Sequence, residues 1–318
     1  MTGAVAALPE AVVLLGAGGF IGRNIVDALA GKVGRLIGVT ASGRLVPGCD
    51  LSVAGDRLRE LPLLPADCVL INVAAMRYDP RRFREEQSLI LRRNLDIVTA
   101  AYAFCVERGI REVRQASSSA VYAAGADPQD DEHPIDLNAP PHAGELGYAW
   151  SRRMAEIAAD IHRRLYGIHT QSFRLTNPFG AYDTLDVQSA HVATALVVRA
   201  LTETGPLRLL GNPDAERDFV HAGDVARIFA ESCRQREVHQ ALNLARGETV
   251  SIRRFAELVL SAAGLDQPIE VSGDLPPGVN IRRATARRLR EHFPAVPLRP
   301  LAEGVRDSVL WYRHALGC

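Results

Sequence analysis

The sequence predicts an α/β protein built on a doubly wound parallel sheet, and three observations carry that prediction. Short apolar runs alternate with helical patterns, a glycine-rich turn joins the first run to the first helix, and the composition is that of a chain able to bury a large core. The runs are Val12 to Leu15, Leu36 to Thr40, Cys68 to Val73, Val113 to Ser117 and Thr170 to Arg174, each short enough for a buried parallel strand. Between them, Ile21 to Ala30 follows the glycine turn, Ser88 to Arg108 carries an apolar stripe, and Tyr148 to Tyr166 places Ala, Met and Ile at helical spacing. Proline and glycine become frequent in Ala124 to Gly147 and in Val271 to Val279, which read as two surface loops, the first forming one wall of a cleft just before Tyr148. After Asn177 the strict alternation weakens, so a smaller C-terminal α/β lobe is expected over the sheet.

The chain has 318 residues, 47% hydrophobic and 23% charged, with a formal net charge of zero. That neutrality gives no argument for nucleic acid or a membrane surface as partner. The cysteines at 49, 68, 105, 233 and 318 are odd in number and never spaced as C-x-x-C, so neither a zinc site nor a disulfide framework is expected, and a reducing cytoplasm is the natural location. The residues before Ala11 lack the pattern of a signal peptide, and no apolar stretch reaches membrane-spanning length. Lys32 is the only lysine, so nearly every basic residue is arginine.

The glycine turn reads Gly16-Ala-Gly18-Gly19-Phe20-Ile21-Gly22, directly after a strand and opening a helix. Glycines there permit a tight turn, let a pyrophosphate approach the backbone, and allow the helix to pack closely on the strand, so this segment is expected to bind a dinucleotide. The dinucleotide-binding unit is expected to span residues 1–176 plus about 222–245, and the substrate lobe 177–221 and 246–318. At the end of the second strand, where an NAD binder offers a carboxylate to the ribose hydroxyls, the chain has Thr40, Ser42 and Arg44. Two hydroxyls and a cation suit a 2′-phosphate, so NADP is the expected cofactor, with NAD the alternative. Tyr148-Ala-Trp-Ser-Arg152 sets a phenol and a permanent cation four residues apart on one helix face, a pair able to make the tyrosine a proton donor or acceptor. Histidines 133, 142, 162, 169 and 221 show no metal-ligand spacing and read as loop or surface residues; no metal is expected.

Taken together, the glycine turn, Asp50-Leu51, Asn72-Val-Ala74-Ala75, Asn94, Ser117-Ser118-Ser119-Ala120-Val121-Tyr122, Tyr148, Asn177-Pro-Phe-Gly180, Arg217-Asp-Phe-Val-His221 with Asp224, and Trp311-Tyr312 run almost end to end. On these residues the chain resembles the extended short-chain dehydrogenase/reductases of the nucleotide-sugar epimerase and dehydratase group. The resemblance implies that Asp50 and Leu51 border the adenine, Ala74 and Ala75 line the diphosphate, and Asn94 belongs to the cofactor site. It also implies that Ser118 and Ser119 meet the substrate beside Tyr148, and that Arg217 with Asn177 grips the substrate diphosphate. The family carries lysine where this chain has Arg152; arginine keeps the charge but is larger, planar and always protonated.

From Asn177 to His191 the spacing is similar to that of GDP-L-fucose synthases, which implies an acid role for His191 and a place for Asp183. Their partner cysteine falls at Ala120, and the Asp-Glu pair typical of sugar 4,6-dehydratases is absent after Ser118, so chemistry at a single carbinol carbon remains. Three activities are consistent with these residues: NADP-linked reduction of a 4-keto group on a nucleotide-linked sugar, NAD-dependent 4-epimerisation, and dinucleotide binding with degraded catalysis. Family members commonly pair as homodimers through two helices, which here are Leu91 to Cys105 and Met154 to Leu165.

Overall fold

The computed structural model describes residues 6–76, 85–272 and 280–318. In its first part, strands β1 (Ala11–Leu15), β2 (Arg35–Thr40), β3 (Leu51–Ala54), β4 (Cys68–Asn72), β5 (Glu112–Ser118) and β6 (His169–Leu175) alternate with helices α1 (Phe20–Leu29), α2 (Gln87–Arg108) and α3 (Leu146–Tyr166). The second part contains β7 (Asn177–Phe179), α4 (Val192–Thr202), β8 (Leu207–Leu210), β9 (Glu216–Arg217), β10 (Phe219–His221), α5 (Ala222–Ser232) and β11 (Gln240–Leu244). It closes with β12 (Val250–Ser251), α6 (Ile252–Ala263), β13 (Ile269–Ser272), β14 (Ile281–Arg282), α7 (Arg287–His292) and α8 (Leu301–Leu316).

Seven strands form one parallel sheet in the order β11-β6-β5-β4-β1-β2-β3. The chain winds outward one way from β1 through β2 to β3, then returns to β4 on the other side of β1. The carboxyl ends of β1 and β4 therefore flank the switch point where doubly wound sheets bind ligands. Successive side chains of β1 face opposite sides: Val12 and Leu14 enter one core with Ile25, Val26 and Leu29 of α1 and Val225 and Phe229 of α5. Ala11, Val13 and Leu15 enter a second core with Val98, Tyr102 and Phe104 of α2 and Ala155 and Ala159 of α3. A third core joins α4, α6 and α8, with Phe179, Phe219 and Phe255 packed edge-to-face or tilted at its centre.

The five expected strands and three expected helices are all present. The edge strands β3 and β11 were not anticipated. β3 is only four residues long and half-buried throughout, so it has neither the length nor the alternation that marks a strand in sequence. Of the segment read as a second loop, Val271 belongs to β13, which pairs with β8, and residues 273–279 lie outside the described residues. The first loop does precede α3, although the helix starts two residues before Tyr148. Buried Arg153 fastens that loop by donating from Nε to the Val121 carbonyl at 2.7 Å and from Nη1 to the Ala139 carbonyl at 2.8 Å. Among the described residues, no helix is long and apolar enough to cross a membrane.

His221 departs from its expected surface position: it is 7% exposed and caps α5, its Nδ1 accepting from the Gly223 amide at 3.1 Å. Burial, aided by the Arg299 guanidinium, pushes its pKa down from 6.5 to about 4. The unfolded chain therefore takes up this proton first as pH falls. The neutral buried ring contributes stability that is full above pH 6.5 and is lost on acidification towards pH 4, about 3 kcal/mol in all. Asp218 works in the opposite sense: burial raises its pKa from 3.8 to about 6, so its contribution is present below pH 3.8 and is lost as pH rises through 6. Comparison with His221→Asn, which keeps a capping acceptor, isolates the histidine. Urea midpoints measured between pH 7 and 4 are expected to fall less steeply in the variant, and parallel curves would show that His221 titrates normally.

Candidate active site

At the carboxyl end of the sheet lies a cleft of about 1470 Å³. The glycine turn forms its floor. Gly16 has φ of +86°, and a Cβ there would sit 2.8 Å from the Ala74 amide nitrogen; a Cβ on Gly22 would sit 2.0 Å from the Gly16 carbonyl oxygen. Only glycine lets β1, β4 and α1 converge so closely. No side chain caps α1 at Gly19, leaving the first-turn amides to an anion in the cleft. Gly18, Phe20, Ile21, Ala74 and Ala75 line the same region.

At the end of β2, Thr40, Ser42 and Arg44 also line the cleft, and the buried Thr40 hydroxyl has no hydrogen-bond partner among the described residues. Asp50 and Leu51 do not line it. Asp50 Oδ2 accepts from the Leu36 amide at 2.7 Å, which spends the carboxylate on joining β2 to β3, and Leu51 packs against the second core. Gly55, Asp56 and Leu58, just after β3, do line it. An acid, Asp56, therefore does reach this end of the cleft, from the turn after the third strand rather than from the second strand.

Ser118 ends β5 and Tyr148 lies in the first turns of α3, and both line the cleft. The Ser118 hydroxyl accepts from the Ala120 amide at 3.2 Å, which turns the chain after the strand. The Arg152 guanidinium carbon is 5.0 Å from the centroid of the Tyr148 ring. Arg152 is 4% exposed; its Nη1 donates to the Ala116 carbonyl at 3.2 Å and its Nη2 to Asn94 Oδ1 at 3.4 Å, while Nε has no partner among the described residues. Asn94 does not line the cleft, contrary to its expected place in the cofactor site. It is buried and holds Arg152 and the Met76 amide, so it acts on the site through them.

Ser119, Ala120, Asn177 and His191 line the cleft as well. His191 precedes α4, with Nδ1 3.8 Å from Asp183 Oδ2, and Asp183 also accepts from the Thr194 hydroxyl at 2.7 Å. One amide hydrogen of Asn177 is already committed to the Asp218 carbonyl at 2.9 Å.

Arg217 is not in the cleft lining. It donates to the Glu216 and Asn280 carbonyls, and burial, with Arg282 beside it, lowers its pKa to about 10. It makes no ion pair with Asp218, whose carboxylate is fully buried and accepts from the Arg246 and Gly247 amides. Arg282, in register with Arg217 on the neighbouring strand and paired with Glu145 at 2.9 Å, does line the cleft. No local pattern marks Arg282. Its strand is two residues long, and only pairing with β9 brings it beside Arg217.

A glycine cradle that any Cβ would fill, uncapped helix amides, and unpartnered polar atoms on Thr40 and Arg152 together fit a dinucleotide in this cleft. Sheet, turn and the Ser118–Tyr148–Arg152 group define a nicotinamide-dinucleotide enzyme of the extended short-chain dehydrogenase/reductase type. More particularly, the chain belongs to the NAD dependent epimerase/dehydratase family, whose model matches residues 12–245.

Among curated relatives, a dTDP-4-dehydro-6-deoxy-D-allose reductase of Streptomyces bikiniensis is 26% identical over 95% of this chain and 96% of its own length. A GDP-L-fucose synthase of Dictyostelium discoideum is 24% identical over 74% of this chain and 73% of its own. Among solved structures, a GDP-L-fucose synthetase of Naegleria fowleri bound to NADP superposes with a TM-score of 0.81 at 16% identity, covering 100% of this chain and 98% of the other. That likeness is one of fold.

Proposed function

We propose that the protein reduces the 4-keto group of a nucleotide-linked sugar with NADPH. The observation that carries this reading is the convergence of Ser118, Tyr148 and Arg152 on one cleft in which Ala120 supplies neither acid nor base. Such a site can move a proton at one oxygen, and the position next to the serines that would carry a carbon-deprotonating partner is filled by Ala120. The bound dinucleotide supplies the hydride. The Ser118 hydroxyl donates to the keto oxygen, and the Tyr148 phenol delivers the proton to it as the alcohol forms. Arg152, buried beside the ring, favours the phenolate left behind. His191, oriented by Asp183, holds a sugar hydroxyl. Arg282, with Arg217 behind it in register on the neighbouring strand, gives the sugar-bearing diphosphate a cationic end to the cleft, its guanidinium suited to bidentate contact with phosphate oxygens. Both relatives named above are, by their names, reductases or synthases of deoxysugar nucleotides, which supports the reading.

Thr40, Ser42 and Arg44 support NADP. Asp56 at the same end favours the second reading, an NAD-dependent 4-epimerase. Purified protein is expected to oxidise NADPH on addition of a 4-keto sugar nucleotide and to bind NADP more tightly than NAD, a preference that Arg44→Ala removes. Interconversion of two sugar nucleotides without net cofactor change would establish the epimerase instead; dinucleotide binding with neither reaction would indicate degraded catalysis. The exposed apolar residues Leu89 and Val106 on α2 and Met154, Ile161 and Leu165 on α3 support a homodimer formed through these helices.

A further inference from the structure

Beneath the cleft, the strand that carries Ser118 and the helix that carries Tyr148 are fastened together by a buried polar group to which the reaction above assigns no role. Glu156 lies on α3, one turn beyond Arg152 and about two turns beyond Tyr148. Its Oε1 accepts from the Ser117 hydroxyl at 2.6 Å and from Arg174 Nε at 3.1 Å, and its Oε2 accepts from Arg174 Nη2 at 2.8 Å. Ser117 and Arg174 are opposite each other in the register of β5 and β6, so both reach α3 from the same face of the sheet. The remaining Arg174 nitrogen, Nη1, donates to the Tyr122 hydroxyl at 2.9 Å, which in turn donates to Asn243 Oδ1 at 2.7 Å. Ser117 and Arg174 are 2% and 4% exposed.

We infer that Ser117, Glu156 and Arg174 are positioning residues that set Tyr148 against Ser118, an inference that rests on the proton-transfer reading of that pair and holds for reduction and epimerisation alike. A buried ion pair is weak evidence of stabilisation, because an apolar contact of the same volume often holds a fold as well. What the pair adds is direction. Three hydrogen bonds converge on one carboxylate, and sliding or rotating α3 against β5 breaks them together. An apolar contact would let the helix settle by fractions of an ångström, and Tyr148 would move with it. Ser117 is the residue next to Ser118, so its bond to Glu156 ties the two proton-handling elements directly.

Ser117→Ala tests this with little risk to folding, since the Arg174–Glu156 pair remains. The variant is expected to lose about ten-fold in kcat, misplacement of reacting groups being costly, with KM for the sugar nucleotide and Kd for NADPH unchanged. Ser117→Thr, which restores a hydroxyl on a strand-favouring side chain, is expected to recover kcat to within about two-fold of wild type. An unchanged kcat in Ser117→Ala overturns the inference while leaving the functional reading intact. So does a kcat loss matched by an equal loss of cofactor affinity, which is what general loosening would give. Wild-type protein that neither reduces nor epimerises a sugar nucleotide refutes the functional reading and the inference with it.

Discussion

Tyr148→Phe is expected to lose about 10³-fold in kcat while binding NADPH as tightly as wild type, because a positioned proton donor contributes about 10² to 10⁴ in rate. The substitution removes one oxygen. The ring stays, with its packing and its face beside Arg152, so neither the fold nor the cofactor cradle changes. The glycine turn and the end of β2, on which dinucleotide affinity rests, are on other elements. Steady-state kinetics with a 4-keto sugar nucleotide, beside a fluorescence titration with NADPH, separates the two quantities. Full turnover in the phenylalanine variant would remove Tyr148 from the chemistry; lost affinity with retained kcat would make it a binding residue instead.

Arg152→Met is expected to lower kcat about 10²-fold, since the guanidinium carbon lies 5.0 Å from the centroid of the ring that becomes the phenolate, and a unit charge at roughly that separation is worth about 3 kcal/mol at an effective dielectric near 20. Cofactor affinity is expected to fall as well, because Arg152 is the buried cation whose Nε is unpartnered among the described residues. Arg152→Lys keeps the charge but gives up the planar fork that reaches both the Ala116 carbonyl and Asn94. A loss of about ten-fold is expected for it, reflecting a site adapted to arginine. A gain in turnover with lysine would show instead that the arginine impairs a site built for the smaller cation. Wild-type kcat in the methionine variant would leave the charge without a role. Thermal melts on both proteins check that the fold holds without the bonds to Asn94 and the Ala116 carbonyl.

What could be read before the fold was known divides along physical lines. The glycine turn was legible because its requirement is local: at Gly16 and Gly22 no Cβ fits, and residue type alone records that. Strands β1, β2 and β4 were legible because buried parallel strands are apolar on both faces, β5 and β6, which are largely polar, because they fall in the alternation of strands and helices, and α1 to α3 because their periodicity spans several turns. β3 escaped because a short, half-buried edge strand has neither signal. The resemblance places Asp50 at the adenine; in the structure its Oδ2 accepts from the Leu36 amide, a bond that depends on how β2 and β3 lie together. The same resemblance places Asn94 in the cofactor site, and the structure gives it a hold on Arg152.

The sequence by itself determined the class of sheet, the turn that closes on a dinucleotide, and the Tyr148–Arg152 pair on one helix face. Each follows from contacts within a few residues, or from periodicity along one element. Only the tertiary structure decided that Arg282 and Asp56 enter the cleft and that Arg217 lies behind it. It likewise decided that Glu156 and Arg174 fasten the tyrosine helix to the serine strand. These relations join residues far apart in the chain, whose meeting is set by strand register and helix packing, and no local pattern of residues records them.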